Sequence, residues 1–401
     1  MKKVVLLFIF SFLVTSCSQQ IEQQDETISV EKDEIVIGER LSIYSDVMQE
    51  DRPYWVHLPD SYDSETYYPQ KYPVLYLLDG DAHFHSVSGA MNFMSAGING
   101  NMQIPELIIV AIPNTERTRD LTQVPLTVDF NGDPVDEPTG GGGDKFFEFI
   151  EMELIAKIEK DYRTLPHRTL VGHSLGGLIS LYSFIENPAL FNGYIAIDPS
   201  IWWESGEIIA RAQEKLLTNK NLKARIFISM ADHDPEGGML TNIVAFNELL
   251  EGFETTDLQI DSFLYKGEDH GSVPLVSLYN GLLHVFNNYK SNMFNMSEDA
   301  EKWTTHYKNI SDTLGVEFIP PEKTTDRMGS FSSESEENRE TGLTFFKLNT
   351  ENYPKSSHAF EKLAGLYQTM GENDLARENY QKAIELDGDN EDAIKALSEL
   401  D

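Results

Sequence analysis

The chain has 401 residues, with 66 acidic and 31 basic side chains and a formal net charge of −35. A surface this acidic repels the phosphates of nucleic acids and anionic lipid headgroups, so the sequence excludes nucleic acid as a partner. The single cysteine, Cys17, excludes an intrachain disulfide framework and a cysteine-built zinc site. Hydrophobic residues make up 40% of the chain, enough for an ordered core, and the length suggests two or three domains.

The N-terminal segment has the features of an export signal. Lys2 and Lys3 precede a largely apolar run from Val4 to Val14, which is too short to span a bilayer core of ~30 Å as a helix. The run ends in Leu-Val-Thr-Ser-Cys at Cys17, which resembles the lipobox of bacterial lipoproteins. The resemblance implies a signal peptide over residues 1–16, lipidation of Cys17 and a flexible tether over residues 17–34. We therefore expect an exported bacterial lipoprotein, held at the periplasmic or outer-membrane side of the cell envelope by its lipid alone.

Residues 35–295 alternate between apolar strand-like runs and segments with helical spacing. Near-continuous apolar runs are typical of strands that helices cover on both faces of a parallel sheet. The predicted strands include 72–78, 107–112, 169–171, 193–197 and 225–230, and the predicted helices include 146–162 and 178–185. This pattern predicts an α/β-hydrolase fold with a mostly parallel central sheet.

The motif Gly-His-Ser-Leu-Gly at residues 172–176 follows a predicted strand and precedes a predicted helix. A nucleophilic serine on such a turn needs glycines two residues away on either side, because larger side chains would clash. The sequence therefore predicts Ser174 as a nucleophile. An accidental glycine-rich turn is the alternative interpretation.

A serine hydroxyl needs a base, and in hydrolases of this kind the chain order is serine, acid, histidine. His270 lies in a polar, glycine-flanked loop after a strand-like run, which makes it the predicted base. The acid is expected after the strand 225–230, where Asp234 is preferred over Asp232 and Glu236. A Ser–His pair that works without an acid is an alternative. His233 stands between two aspartates, but one histidine with two flexible acids is weak evidence for a metal. We therefore expect no metal site.

An oxyanion formed by attack needs two backbone N–H donors. One is expected from Leu175, and the other from the loop that follows the strand 72–78 at Leu78-Asp79-Gly80-Asp81.

Together these motifs resemble the putative-esterase family of α/β hydrolases. The resemblance covers about 43–288 and rests on five segments: 76–80, 142–146, 172–177, 198–203 and the loop that carries His270. It implies that the N–H of Asp81 is the second oxyanion donor and that no cofactor is needed. The segment Pro-Ser-Ile-Trp-Trp at 199–203 is most similar to trilactone siderophore esterases of the ferri-bacillibactin type.

Three further side chains are candidates for substrate contacts. Trp202 and Trp203 would line an aromatic acyl site, although two tryptophans at the edge of the core are an equally good interpretation. Arg119 is a candidate for an anionic substrate, with a solvated loop arginine as the commoner case.

The remainder of the chain is helical in pattern. We predict a helical connector and polar linker over residues 296–339 and a small all-α domain over residues 340–401. The spacing in this domain resembles a tetratricopeptide repeat at Phe360, Leu363, Ala364, Tyr367, Gly371, Ala376, Tyr380 and Ala383. A plain helical hairpin is the alternative. A repeat would offer a small concave surface to a peptide or protein partner.

The sequence therefore predicts a serine carboxylic-ester hydrolase that forms an acyl-enzyme, with a small-molecule or oligosaccharide ester as substrate. Siderophore-type trilactone esters are the first candidates, and feruloyl or acetylxylan esters are an alternative. A lipoprotein scaffold without catalysis is the alternative from a different class.

Overall fold

The computed structural model describes residues 34–97, 100–219, 222–234, 238–253, 255 and 257–400. The predicted signal peptide, Cys17 and nearly all of the predicted tether lie outside the described residues. From Ile37 onward the chain packs as one unit. Within the described ranges, no helix combines the length and the apolar character that crossing a membrane requires.

The central sheet has eight strands in the order β1-β2-β5-β3-β8-β9-β10-β11. Strands β1, β2 and β5 are joined by antiparallel pairing, and all pairs from β5 to β11 are parallel. The predicted mostly parallel α/β-hydrolase sheet is therefore confirmed. The strands of this sheet are β1 (Glu39–Ser45), β2 (Glu50–His57), β3 (Tyr72–Leu78), β5 (Ile108–Ile112), β8 (Thr164–His173), β9 (Gly193–Ile197), β10 (Ala224–Ala231) and β11 (Leu258–Tyr265).

Four short strands form two separate ribbons, β4 with β12 and β6 with β7. They are β4 (Asn101–Met102), β6 (Pro125–Val128), β7 (Pro134–Gly140) and β12 (Ser291–Asn292).

Helices cover both faces of the sheet. In the first part of the chain they are α1 (Gly80–Ser95), α2 (Arg117–Asp120), α3 (Gly143–Phe149), α4 (Ile155–Asp161), α5 (Leu175–Glu186), α6 (Glu207–Thr218), α7 (Gly238–Glu251), α8 (Val273–Val285) and α9 (Met293–Met296). A π-helical turn at Ile150–Leu154 joins α3 to α4. The later helices are α10 (Ala300–Leu314), α11 (Glu322–Ser333), α12 (Arg339–Asn352), α13 (Ser357–Thr369), α14 (Asn373–Leu386) and α15 (Glu391–Glu399).

Strand β3 shows why the apolar runs become central strands. All seven of its residues are buried, and successive side chains of a strand point to opposite faces. Val74 and Tyr76 join the apolar cluster on one face, whereas Leu75 and Leu77 join the cluster on the other. A run with no polar position is therefore stable only where helices cover both faces of the sheet.

The C-terminal helices continue the core of the sheet. Trp303 and Tyr307 of α10 are buried in the same cluster as Leu75 and Leu77 of β3. Helix α12 is shared between two cores, since Phe345 belongs to that cluster and Phe346 belongs to a third cluster with α13 and α14.

The region predicted as a helical connector and polar linker, residues 296–339, contains helices α10 and α11, and α11 ends at Ser333. Four polar side chains of α11 are buried and hydrogen bonded: Glu322, Thr325, Asp326 and Ser332. Glu322 accepts hydrogen bonds from the Tyr68 N–H at 2.7 Å and the Ser356 hydroxyl at 2.5 Å, which link a loop of the α/β part to the start of α13. The small and large residues predicted to pack between the last helices, such as Ala364 and Tyr380, are buried there. The C-terminal part is thus helical, and its tetratricopeptide interpretation stays a prediction.

Candidate active site

Ser174 lies on a sharp turn between the end of β8 at His173 and the start of α5 at Leu175. Its backbone has φ 60° and ψ −117°, a strained conformation for a residue with a side chain. The glycines of the motif allow this turn, because a Cβ on Gly172 would collide with the Gly176 carbonyl oxygen. The turn projects the hydroxyl beyond the carboxyl end of the sheet, at the N-terminus of a helix.

His270 lies in the loop between β11 and α8 and reaches the serine. Its Nε2 is 3.0 Å from the Ser174 Oγ. The loop is stabilised locally, since the Asp269 carboxylate accepts hydrogen bonds from the N–H groups of Gly271 and Ser272, which lower the pKa of Asp269. The structure therefore brings together the predicted nucleophile and the predicted base. The Ser174 Oγ also lies 3.1 Å from the Ser200 Oγ.

The carboxylate bound to His270 is that of Asp198, which corrects the prediction of Asp234. The Asp198 Oδ2 lies 2.6 Å from the His270 Nδ1. Asp198 directly follows β9, whose last residue Ile197 pairs with His173, so it lies beside Ser174 at the same edge of the sheet. Asp234 follows the next strand, β10, and lies further along its loop. The sequence does contain a signal for Asp198, because an acidic residue directly follows the predicted strand 193–197.

Asp198 is fully buried. Burial raises the pKa of a carboxyl group, but hydrogen bonds from His270 and the Ala231 N–H, together with the charge of His233, outweigh it. The pKa of Asp198 is therefore lower than usual. An ionised carboxylate at this position can hold the Nδ1–H of His270, which leaves Nε2 free to accept a proton from Ser174.

Two more histidines surround this group. The His233 Nε2 lies 2.7 Å from the same Asp198 Oδ2. The His173 ring lies 4.5 Å from the His270 ring, and burial lowers the pKa of His173 to about 4, with smaller contributions from His270 and His83. His173 is therefore neutral near pH 7 and adds no charge beside His270. Sequence reasoning missed the contact of His233 with Asp198, because nothing local shows which loops meet.

Asp198, His233 and His270 also form the one cluster of possible metal ligands among the described residues. Both nitrogens lie 2.6–2.7 Å from a single oxygen, which is hydrogen-bonding distance. Ligand atoms around a tetrahedral zinc ion, each ~2.1 Å from the metal, would stand about 3.4 Å apart. The geometry therefore fits two N–H donors on one acceptor better than a set of metal ligands.

The two predicted oxyanion donors lie at two helix N-termini. Leu175 is the first residue of α5 and Asp81 is the second residue of α1. Backbone N–H groups in the first turn of a helix have no intrahelical acceptor and point toward an anion at its N-terminus. The two helices start side by side, because they follow the paired strands β8 and β3.

The start of α1 is fixed by an ion pair that the sequence analysis did not predict. Asp79 has φ 51°, and its carboxylate accepts hydrogen bonds from Arg117 and from the Asn114 side chain. The Arg117 guanidinium also donates to the His173 carbonyl at 3.4 Å. Arg117 thereby ties the predicted oxyanion loop to the end of the nucleophile strand.

The predicted substrate contact of Arg119 is not what the structure shows. Arg119 binds the carboxylates of Glu50 and Asp120, at 2.6 and 2.7 Å, and these pairs raise its pKa. Its guanidinium connects β2 and α2, so Arg119 has a structural role in the fold.

The two predicted tryptophans have different surroundings. Trp203 is 5% exposed and donates from its Nε1 to the Val124 carbonyl at 2.9 Å, which makes it part of the core. Trp202 is only partly buried and packs edge-on against Phe130, an exposed ring. Trp202, two residues after Ser200, and Phe130 therefore form an aromatic surface. Sequence reasoning missed Phe130, because it lies in an irregular stretch between β6 and β7.

A cavity of about 620 Å³ lies at the opposite end of the sheet from Ser174. Tyr72 and Leu165, at the starts of β3 and β8, line it together with residues of α11 such as Glu322. None of Ser174, Asp198 and His270 lines this cavity.

Comparisons with known proteins find a matching family model, similar curated proteins and similar solved structures. Residues 45–299 match the family model described as "Putative esterase". The chain is 31% identical over 218 residues to the ferri-bacillibactin esterase BesA of Bacillus subtilis, covering 51% of this chain and 75% of the relative. It is 26% identical over 251 residues to the siderophore triacetylfusarinine C esterase of Aspergillus fumigatus, covering 54% and 82% respectively.

Among solved structures, an IroE-like serine hydrolase from Shewanella oneidensis is similar, with a TM-score of 0.70 and 27% identity. The match covers 79% of this chain and 99% of the solved chain.

Proposed function

Because the chain belongs to the putative-esterase family, we propose that it is a serine carboxylic-ester hydrolase that acts through an acyl-enzyme on siderophore-type esters. The observation that carries the proposal is the chain of contacts at one edge of the sheet. It runs from the Ser174 Oγ through His270, at 3.0 Å, to the buried Asp198, at 2.6 Å. In this arrangement the imidazole can activate the serine hydroxyl as a base, and the carboxylate orients the imidazole.

In the first half of the reaction, the Ser174 Oγ attacks the ester carbonyl carbon while His270 Nε2 takes the hydroxyl proton. The carbonyl oxygen becomes an oxyanion, which the N–H groups of Leu175 and Asp81 would stabilise; loss of one such donor costs about 3–4 kcal/mol of barrier. Asp198 stabilises the imidazolium by its hydrogen bond to Nδ1. His270 then returns the proton to the leaving alkoxide, so an alcohol departs and the acyl group stays on Ser174.

In the second half, a water molecule attacks the acyl carbon and His270 Nε2 takes its proton. The second oxyanion collapses, the bond to Ser174 breaks, and the serine oxygen regains the proton from His270. The products are a carboxylic acid and the free enzyme. Neither half requires an oxidant, a reductant or a further reactant.

The substrate class is supported by the two named relatives, which act on siderophore esters, and by the aromatic surface of Trp202 and Phe130. Aromatic rings pack against planar aromatic acyl groups. A hydrolysis screen should compare trilactone siderophores, hydroxamate-type siderophore esters, feruloylated sugars and acetylated xylan. We expect the highest kcat/KM for a siderophore ester; preference for either plant-wall substrate would contradict this class.

The mechanism is tested with p-nitrophenyl acetate and with a fluorophosphonate probe, which reacts with activated serines. The wild-type protein should hydrolyse the ester and be labelled once, at Ser174. Ser174→Ala should lose both properties while retaining its circular dichroism spectrum. Hydrolysis or labelling that survives in Ser174→Ala would contradict the proposal.

We also propose that the protein is exported and lipid-anchored through Cys17, on the basis of the sequence motif that precedes this residue. In cells fed a radioactive fatty acid, the wild-type chain should carry the label and sediment with membranes. Cys17→Ser should be unlabelled. A labelled Cys17→Ser chain would rule out this anchor.

A further inference from the structure

We propose that His233 is a positioning residue for the reaction at Ser174, acting by sharing one oxygen of Asp198 with His270. The proposal rests on the proposed esterase function and assigns His233 no contact with substrate. The His233 Nε2 lies 2.7 Å from the Asp198 Oδ2, and the His270 Nδ1 lies 2.6 Å from the same atom.

The chemistry of the carboxylate permits this sharing. An ionised carboxylate is an acceptor only, and each of its oxygens has two lone pairs. The other oxygen of Asp198, Oδ1, accepts the Ala231 N–H at 3.0 Å. Three donors therefore surround a side chain that is fully buried: one from the end of β10, one from the turn after it and one from the loop of His270. His233 supplies one of them through its Nε2–H.

A second donor has a specific effect on an aspartate. The last torsion of an aspartate side chain has a broad energy profile, so the side chain's own rotamer preference leaves the plane of the carboxylate poorly determined. Asp198 also has an unusual backbone, with φ 41°. Donors on both Oδ1 and Oδ2 determine the plane, and a donor on Oδ2 that does not react keeps that oxygen in place while His270 exchanges protons with Ser174.

The turn that carries His233 is suited to this task, because it is bonded to the loop that carries His270. The Asp232 N–H donates to the Glu268 carbonyl at 2.8 Å, and the Gly267 N–H donates to the Asp232 carboxylate at 3.0 Å. The His233 N–H donates to the Ala231 carbonyl at 2.9 Å, which closes the turn. The two imidazoles are thus held relative to each other by hydrogen bonds between their loops that do not involve Asp198.

The function of His233 predicts a selective kinetic defect. Without its donor, the Asp198 carboxylate can rotate, and the imidazole of His270 loses its alignment with the Ser174 Oγ. Alignment matters for the chemical steps and little for substrate binding. The defect should therefore appear in kcat and leave KM close to the wild-type value.

The test compares His233→Phe, which keeps a ring and removes the donor, with His233→Gln, whose amide nitrogen can take the place of Nε2. With p-nitrophenyl acetate as substrate, we expect His233→Phe to lower kcat by about 10- to 100-fold and KM to change little. His233→Gln should recover most of kcat, because an amide donates to the same oxygen. Equal losses in the two variants, or a loss that lies in KM alone, would overturn the proposal.

A double-mutant cycle separates positioning from general support of the loop. In an Asp198→Asn background, His233→Phe should cause little further loss of kcat, because the oxygen through which it acts is already altered. A further loss as large as in the wild-type background would overturn the proposal.

Should His233→Phe fail to fold, His233→Asn is the second variant, because its shorter side chain withdraws the donor from Asp198. His233→Asn should also lower kcat. A wild-type kcat in this variant would overturn the proposal.

Failure of this inference and failure of the proposed function give different results. A wild-type protein that hydrolyses no ester would overturn both. Ester hydrolysis that requires Ser174 but is unchanged in His233→Phe would overturn the role of His233 alone.

Discussion

Arg117 binds the carboxylate of Asp79 through two N–H groups, with its Nε 2.6 Å from Oδ1 and its Nη2 2.9 Å from Oδ2. The Asp79 side chain is 5% exposed, whereas that of Arg117 is 37% exposed. Arg117 also donates to the His173 carbonyl, so the pair connects the loop that carries one proposed oxyanion donor to the end of β8, which precedes the proposed nucleophile Ser174. It is therefore a structural link between the two helix N-termini of the active site.

Arg117→Met should weaken both the active site and the fold. Loss of the guanidinium leaves a buried carboxylate with fewer donors, which costs about 1–3 kcal/mol in the free energy of unfolding. A displaced Asp81 N–H should lower kcat by up to about 100-fold. Urea unfolding and ester hydrolysis measure the two effects. Arg117→Lys, which keeps the charge, is the matched control and should lose less of each; a fully active Arg117→Met would separate the ion pair from catalysis.

The variants Asp198→Asn and Asp234→Asn together test which carboxylate is the acid that binds His270. The asparagine at 198 keeps the shape of the side chain but can stabilise the wrong tautomer of His270, so kcat should fall by about 10⁴-fold. Asp234→Asn should leave kcat near the wild-type value, because the bond to His270 Nδ1 is made by Asp198. Steady-state hydrolysis of p-nitrophenyl acetate decides between them, and the reverse order of effects would restore Asp234 as the acid.

His167 should make the protein less stable in acid. Its ring is fully buried between Phe286 and Phe318, and burial lowers the pKa of His167 to about 3, with a smaller contribution from Arg225. The unfolded chain, in which a histidine has a pKa of ~6.5, binds a proton first. As pH falls from about 6.5 toward about 3, the stability of the folded state is progressively lost.

His167→Phe removes this titration and keeps an aromatic ring at the same place. The difference in free energy of unfolding between variant and wild type should grow in favour of the variant between pH 6.5 and pH 4. Guanidinium unfolding at several pH values measures it. A difference independent of pH would show that His167 does not titrate in this way.

Glu322 should affect stability without affecting catalysis. Burial raises its pKa, although the hydrogen bonds from Ser356 and the Tyr68 N–H oppose this. Glu322→Ala leaves those donors without their acceptor and should lower the free energy of unfolding by about 1–3 kcal/mol. Because Glu322 lies at the far end of the sheet from Ser174, kcat should not change. The exposed Glu317 gives the control, since Glu317→Ala should leave both quantities unchanged.

The sequence alone was sufficient to predict those features that depend on residues close together in the chain. The turn at Ser174 needs small residues at fixed distances along the chain, because a side chain at Gly172 would collide with the backbone of Gly176. The strand Tyr72–Leu78 is likewise recognisable, since a run with no polar position requires cover on both faces. His270 could be predicted because the chain order of the hydrolase places the base in a late, glycine-flanked loop.

Only the tertiary structure decided which distant side chains meet. Asp198 is the partner of His270 because β9 pairs directly with the nucleophile strand, and strand order is not encoded in any short segment. Arg119 is bound to Glu50, and Arg117 to Asp79, through contacts between residues far apart in the chain. The sharing of one carboxylate oxygen by His233 and His270 has the same origin, because loops that meet at a sheet edge are arranged by the packing of the whole sheet.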